Sequence, residues 1–212
     1  MLLLKLPRKT TSRAPHKAHI LKFTICVSGA AAGSCLITAK DVSFAIGDEI
    51  ARQSQVIVTG ATTGVPYFAA QGAKLAGGVS IGYSPAVSHR EHINKYHLPD
   101  DAFDVMVYTG FDYSGRNLLM VRSADAVIFV CGRIGTLNEF TTAFEDDKVI
   151  GVLLGSGGIT DEVAHIVKIS HRGTGGIIYD VDPKSLVDKV VRAVKERNSL
   201  SLHKSLRQSQ RG

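Results

Sequence analysis

The 212-residue chain has no tryptophan, three cysteines and six prolines, and each scarcity removes a class of protein. Cys26, Cys35 and Cys131 are odd in number and show no Cys-x-x-Cys spacing. That argues against a disulfide framework and against a cysteine zinc site, and it suits a reducing cytoplasm. With few prolines beside 21 glycines, the composition is neither disordered nor collagen-like; it suits an α/β protein that spends glycine on turns and phosphate loops. Long apolar runs are also missing. Met1–Leu4 is followed at once by Lys5, Arg8 and Lys9, which is too short for a signal peptide or a membrane span.

Acidic residues are missing from both ends. Residues 1–22 carry six Lys/Arg and residues 201–212 three more, with no Asp or Glu in either stretch. Removing these nine from the 25 basic residues leaves 16 against 19 acids, so the body is negative by 3 although the whole chain is +6. The basicity belongs to solvated termini, and no specific nucleic-acid or membrane partner is expected. We expect a basic disordered tail over 1–22, one domain over 23–198 and a second basic tail over 199–212, since this length supports one substantial core.

Along the body, short apolar runs alternate with helical periodicity. Strands are expected at Phe23–Ser28, Val56–Thr59, Val79–Tyr83, Val105–Tyr108, Ala126–Val130, Ile150–Leu154 and Ile177–Tyr179. Helices are expected through Val42, Ile46 and Ile50, over Pro66–Ala76, near Arg116–Arg122, from about Thr136 to Glu145, over Asp161–Ser170 and after Asp182-Pro183. The stretch Ser84–Asp104 has no assignable element. This alternation predicts a Rossmann-like, doubly wound parallel sheet in a three-layer α/β/α arrangement. Its ligand would sit beyond the carboxyl ends of the strands, near the loops Ser28–Ser34, Thr59–Gly64 and Cys131–Thr136.

The segment Asp125–Glu139 joins a buried strand to a helix through a small-residue turn, Gly132-Arg133-Ile134-Gly135-Thr136. Gly132 and Gly135 permit close backbone approach, and free N–H groups at a helix start suit a phosphate. Thr136 either caps the helix or donates to the phosphate. Glu139 either points into the same cleft or closes a plain capping box with Thr136. Arg116 either clamps ligand oxygens or pairs with Glu139 or Asp112. Ser28 and Gly29 in the first loop, Gly60, Thr63 and Gly64 in the second, and Asn117 beside Arg116 complete the candidate phosphate and nucleotide contacts. Cys131 reads as a small core residue rather than a nucleophile, because nothing supplies it with a base. His89, His92 and His97 lack a ligand pattern, so no metal is expected.

The stretch Gly132–Glu139 resembles the P-G-G-x-G-T-x-x-E motif of the LOG ("lonely guy") family, phosphoribohydrolases that release a cytokinin base from its riboside monophosphate. Arg116 stands nine residues before Asp125, as an arginine does in that family, and Arg122 falls on a second family arginine position. Thr59–Val65, Gln71-Gly72-Ala73, Gly77-Gly78-Val79, Ile81-Gly82 and Pro85 are similar to the family's second glycine loop and the helix and strand after it. The likeness spans roughly residues 23–155. It implies a nucleotide or phosphoribosyl ligand, Glu139 and Arg116 as catalytic residues, hydrolysis of the N-glycosidic bond of a nucleoside 5′-monophosphate without a required cofactor or metal, and a homodimer or higher oligomer. Cys131 stands at the motif's proline, Arg133 and Ala61 at glycines, and the second loop is one residue shorter. In these respects the chain looks closer to relatives that carry nucleotides or the molybdenum cofactor, in which an arginine–asparagine pair matches Arg116-Asn117. A phosphorylated pterin is then the alternative ligand and a non-catalytic carrier the alternative function; an empty relic site is a third reading.

Overall fold

The computed structural model describes residues 22–174 and 176–209, the last nine by backbone alone. Fourteen elements alternate along the chain: β1 Thr24–Gly29, α1 Leu36–Arg52, β2 Val56–Thr59, α2 Val65–Leu75, β3 Val79–Ser84, α3 His89–Asn94, β4 Val105–Tyr108, α4 Asp112–Ser123, β5 Ala126–Val130, α5 Ile134–Glu145, β6 Val149–Leu153, α6 Ile159–Ser170, β7 Ile178–Asp180 and α7 Pro183–Ser209. The strands form one parallel sheet in the order β4-β3-β2-β1-β5-β6-β7. The chain winds outward from β1 in one direction as far as β4. It then returns to pair β5 with the other edge of β1 and winds outward again, which is the doubly wound arrangement.

Strand alternation sends neighbouring side chains to opposite faces. Ile25, Val27, Ala126, Ile128 and Val130 pack beneath α1, α2 and α7. Cys26, Val127 and Phe129 face the other way, against Met120 and Val121 of α4, Phe140 and Ala143 of α5, and Val163 of α6. All five residues of β5 are buried. Its uninterrupted apolar run is therefore the signature of a strand covered on both faces.

Several boundaries differ from the expectation. Helix α4 begins at Asp112, four residues before Arg116, and α5 begins at Ile134 rather than Thr136. Helix α7 continues to Ser209, past position 198 where we expected the domain to end. Of the expected N-terminal tail all but Lys22 lies outside the described residues. Ser84–Asp104 contains α3, whose N-terminus is capped by the Ser88 hydroxyl accepting from the Glu91 N–H. His92 is wholly buried there. Its Nε2 lies 3.0 Å from the Pro99 carbonyl, which can only accept, so Nε2 carries the hydrogen and Nδ1 accepts from the Ser84 hydroxyl at 2.9 Å. His89 contacts Asp100 instead. Among the described residues no three metal-ligating side chains gather, and no helix is long and apolar enough to cross a membrane.

Helices α1 and α2 meet through glycine. A Cβ on Gly47 would stand 1.8 Å from the Ala69 carbonyl oxygen, and one on Gly72 would stand 2.1 Å from that of Phe44. Since both obstacles are backbone, the helices would have to separate. Gly47→Ala is expected to lower stability by roughly 1–3 kcal/mol through overpacking, measured as a lower urea midpoint at an unchanged m-value.

Candidate functional site

Strands β1 and β5 are neighbours, yet the helices that follow them leave on opposite faces of the sheet, α1 on one and α5 on the other. Their loops diverge and leave a crevice at the carboxyl edge, the place where this topology holds its ligands. Gly29 closes the floor; a side chain there would strike the Val130 carbonyl oxygen at 2.2 Å. The Ala30 N–H donates to the Cys131 carbonyl at 2.6 Å. Above this floor lies a cleft of about 310 Å³.

Helix α5 supplies one wall. Arg133 is its extended N-cap, and the first helical hydrogen bond is from the Leu137 N–H to the Arg133 carbonyl at 3.0 Å. The N–H groups of Ile134, Gly135 and Thr136 thus precede the helical ladder. The Thr136 hydroxyl accepts from the Arg133 N–H at 3.3 Å. A Cβ on Gly135 would meet no atom within 4 Å, so this stretch of backbone is open to close approach. The capping box that would join Thr136 as N-cap to Glu139 is not formed, because the helix starts two residues earlier. Glu139 instead turns inward, and its carboxyl accepts from the Ser28 hydroxyl at the end of β1.

Opposite stands α4. The Arg116 guanidinium lies on the backbone of Gly60, where a Cβ would fall 1.5 Å from Nη1. A side chain at position 60 would therefore have to displace the buried Arg116 guanidinium. Arg116 is 4% exposed and Glu139 6%, yet no ion pair within 4 Å joins them among the described residues. Asp112, the other expected partner, accepts from the Tyr96 hydroxyl. Among the described residues buried Arg116 Nε and Asn117 Oδ1 have no hydrogen-bond partner, while Asn117 Nδ2 donates to Asn138 at 3.1 Å. Burial raises the Glu139 carboxyl above its ordinary value, and the positive charge of Arg116 and the Ser28 hydroxyl oppose that only in part. Burial also lowers the Arg116 guanidinium, against the pull of Glu139.

Of the residues expected from sequence, Ser28, Gly29, Gly60, Arg116, Asn117, Arg133, Ile134, Gly135, Thr136 and Glu139 line the cleft. Gly132, Thr63 and Gly64 do not. Gly132 packs beneath it against Ile159 and Thr136. Thr63 donates to the Ala31 carbonyl at 2.9 Å, and Gly64, at φ +71°, lies against the Ala30 and Ala31 backbone, so both shape the first loop from behind. Sequence reasoning missed Thr62 and Tyr113, which also line the cleft. The Tyr113 ring centroid is 5.8 Å from Arg116 Cζ, one helical turn away. The signal was the three-residue spacing to Arg116, hidden because the helix start was placed too late.

The cysteine expectation is corrected. Cys35 and Cys131 form a disulfide with Cα atoms 6.0 Å apart, leaving Cys26 as a buried free thiol. The partners are 96 residues apart in sequence, and only the pairing of β1 with β5 makes them neighbours.

The Glu139 carboxyl is held above its unfolded value, so the unfolded chain releases this proton first as pH rises. Its neutral form stabilises fully below the ordinary carboxylate range, and that contribution is lost as pH climbs through the folded value. Glu139→Gln, neutral throughout, is expected to melt close to the unsubstituted protein at about pH 4 and above it at about pH 8, as followed by calorimetry; a melting difference that does not grow with pH would contradict this assignment.

The sequence model of the SLOG cluster4 family matches residues 22–187. An uncharacterised protein of Archaeoglobus fulgidus is 30% identical over 122 residues, which is 58% of this chain and 75% of that protein. The molybdenum cofactor binding protein of Rippkaea orientalis superposes with a TM-score of 0.67 at 27% identity, over 83% of this chain and 99% of that one. The molybdenum cofactor carrier protein of Chlamydomonas reinhardtii gives 0.65 at 24% identity, over 81% and 98%, a likeness of fold.

Proposed function

The chain belongs to the SLOG cluster4 family, and from that premise and its cleft we propose that it binds a small phosphorylated heterocycle, a nucleotide or a pterin phosphate, and carries it without turnover. One observation carries the reading. The unused N–H groups of Ile134, Gly135 and Thr136 and the unpartnered Nε of buried Arg116 line the same small cleft. A helix N-terminus attracts an anion through its dipole and its free donors, and a desolvated guanidinium lacking a partner is costly until one arrives. Exposed Arg133 adds a second cation at the mouth, and among the described residues Glu139 is the single acidic one on the cleft wall.

The residues fit the cofactor borne by the molybdenum carriers in one respect, its phosphorylated pterin. The α5 backbone would hold the phosphate, Arg116 a neighbouring oxygen and Asn117 Oδ1 a ring N–H. When bound, that cofactor supplies redox chemistry at its metal, which belongs to the enzyme receiving it and not to this chain.

A second reading is favoured by the buried Glu139 beside Arg116: hydrolysis of the N-glycosidic bond of a nucleoside 5′-monophosphate. Glu139, ionised, would stabilise the oxocarbenium-like ribosyl centre or orient water, and Arg116 would fix the ligand oxygens. Burial acts against that ionisation, which is why we place carriage first. The pairing of two chains is proposed through α4, which exposes Leu118 and Leu119 next to Phe111 and Tyr113. The cytoplasmic location rests on the sequence argument alone, and the Cys35–Cys131 bond weakens its cysteine part.

Calorimetric titration with AMP and with a phosphorylated pterin is expected to give saturable binding that Arg116→Met weakens at least about tenfold, the usual loss for a charge-assisted hydrogen bond. Gly135→Leu is expected to abolish binding while changing stability by less than about 0.5 kcal/mol, as at an open surface position. Chromatography of the AMP mixture decides between the readings, because carriage leaves AMP intact, whereas release of adenine that Glu139→Gln abolishes makes the protein a hydrolase.

A further inference from the structure

The disulfide joins the two loops that bound the cleft, and the two ends of that bond are held very differently. On the β5 side, Cys131 is wholly buried and adopts φ +40°, a left-handed conformation that a side chain keeps only when its surroundings impose it. They do so here. The Cys131 N–H donates to the Ser156 hydroxyl at 2.9 Å, the Ile159 N–H to the Gly132 carbonyl at 2.8 Å, and the Cys131 carbonyl receives the Ala30 N–H.

The β1–α1 loop has no such support beyond its first residues. Ala30 and Ala31 are tied by hydrogen bonds to Cys131, Val65 and Thr63. From Ala32 to Ser34 no hydrogen bond reaches another element among the described residues; the bonds of Gly33 and Ser34 run forward to Leu36 and Ile37 of α1 itself. Cys35, half-buried, is therefore the covalent tether for this stretch. The loop forms a third part of the cleft wall: Ala30 and Ala31 line the cleft, and Gly33 lies beside the Arg133 side chain, 3.8 Å from Cδ to the position of an added Cβ.

We propose that the Cys35–Cys131 bond is a redox clasp that fixes the β1–α1 wall of the ligand cleft. In the opening step, a thiolate of a dithiol reductant, of the thioredoxin or dithiothreitol class, attacks the more accessible Cys35 Sγ. The Cys35–Cys131 bond breaks, and Cys131 leaves as a thiolate that takes up a proton. The second thiol of the reductant then displaces Cys35, and the reductant departs as its own disulfide, two electrons and two protons having passed to the protein. A disulfide oxidant such as oxidised glutathione reverses the sequence. The consequence for binding rests on the anion-site reading above. With the clasp open, only a fraction of molecules keep the loop against Arg133, and the apparent affinity falls by that fraction.

The experiment compares the full chain after oxidised glutathione and after dithiothreitol. Thiol labelling under denaturing conditions is expected to find one free thiol in the oxidised protein and three in the reduced one. Hydrogen exchange over residues 30–36 is expected to accelerate on reduction while the segment around Cys131 changes little, and AMP affinity to fall by about tenfold, as for a binding-competent fraction near one tenth. Cys35→Ser should match the reduced protein under both conditions. Three thiols after oxidation, or a formed bond whose reduction alters neither exchange over residues 30–36 nor affinity, would overturn the proposal. If exchange responds and AMP binds in neither state, the clasp stands and the AMP-binding reading fails.

Discussion

The parallel pairing of β1 with β5 is the constraint on which the site depends. It joins two strands 101 residues apart, as Thr24 and Asp125 show at its base, and places their carboxyl ends side by side with their helices leaving on opposite faces. The crevice follows from that divergence, not from any special loop. Gly29 makes the approach close enough, the Ala30 N–H bonds across it, and the disulfide closes it covalently. Three polar side chains of the cleft wall are then presented by elements whose position this pairing sets: Ser28 by β1, Glu139 by α5, and Arg116 by the helix that leads into β5.

Two buried charges face that crevice without touching. In water such a pair would be of little consequence; here desolvation dominates both, raising the carboxyl and lowering the guanidinium. An ion pair in direct contact would have satisfied both groups and left the cleft electrostatically inert. Held apart, with Ser28 serving the carboxyl and Gly60 making room for the guanidinium, they leave Arg116 with an unused donor beside the free amides of α5. This is the electrostatic basis for expecting an anion, and it needs neither a metal nor a nucleophile among the side chains.

The departures from the LOG-like motif also acquire physical content. Cys131, at the motif's proline, has φ +40°, which a proline ring cannot adopt; the turn here follows a different backbone path, and the residue is used as a tether. Ala61, at a motif glycine, keeps a left-handed φ of +50° while buried, supported by the Thr59 hydroxyl accepting its N–H. Arg133 stands exposed on the cleft lining, as the extended N-cap of α5.

The sequence by itself determined the layered architecture, because covered strands must be apolar throughout and their helices must show one apolar stripe. Runs such as Ala126–Val130, short and ended by Cys131-Gly132, read as covered strands. It also located most of the cleft wall, since glycine loops after strands and a helix start have local signatures. Three things were decided only by tertiary structure. The contact of Glu139 on α5 with Ser28 on β1, in place of a local cap, joins residues 111 apart in the chain. The packing of a guanidinium onto Gly60 brings together residues 56 apart in the chain. The union of Cys35 with Cys131 reversed a reading based on cysteine count and spacing, because proximity between residues 96 apart is a property of strand order, and strand order is written in no local pattern.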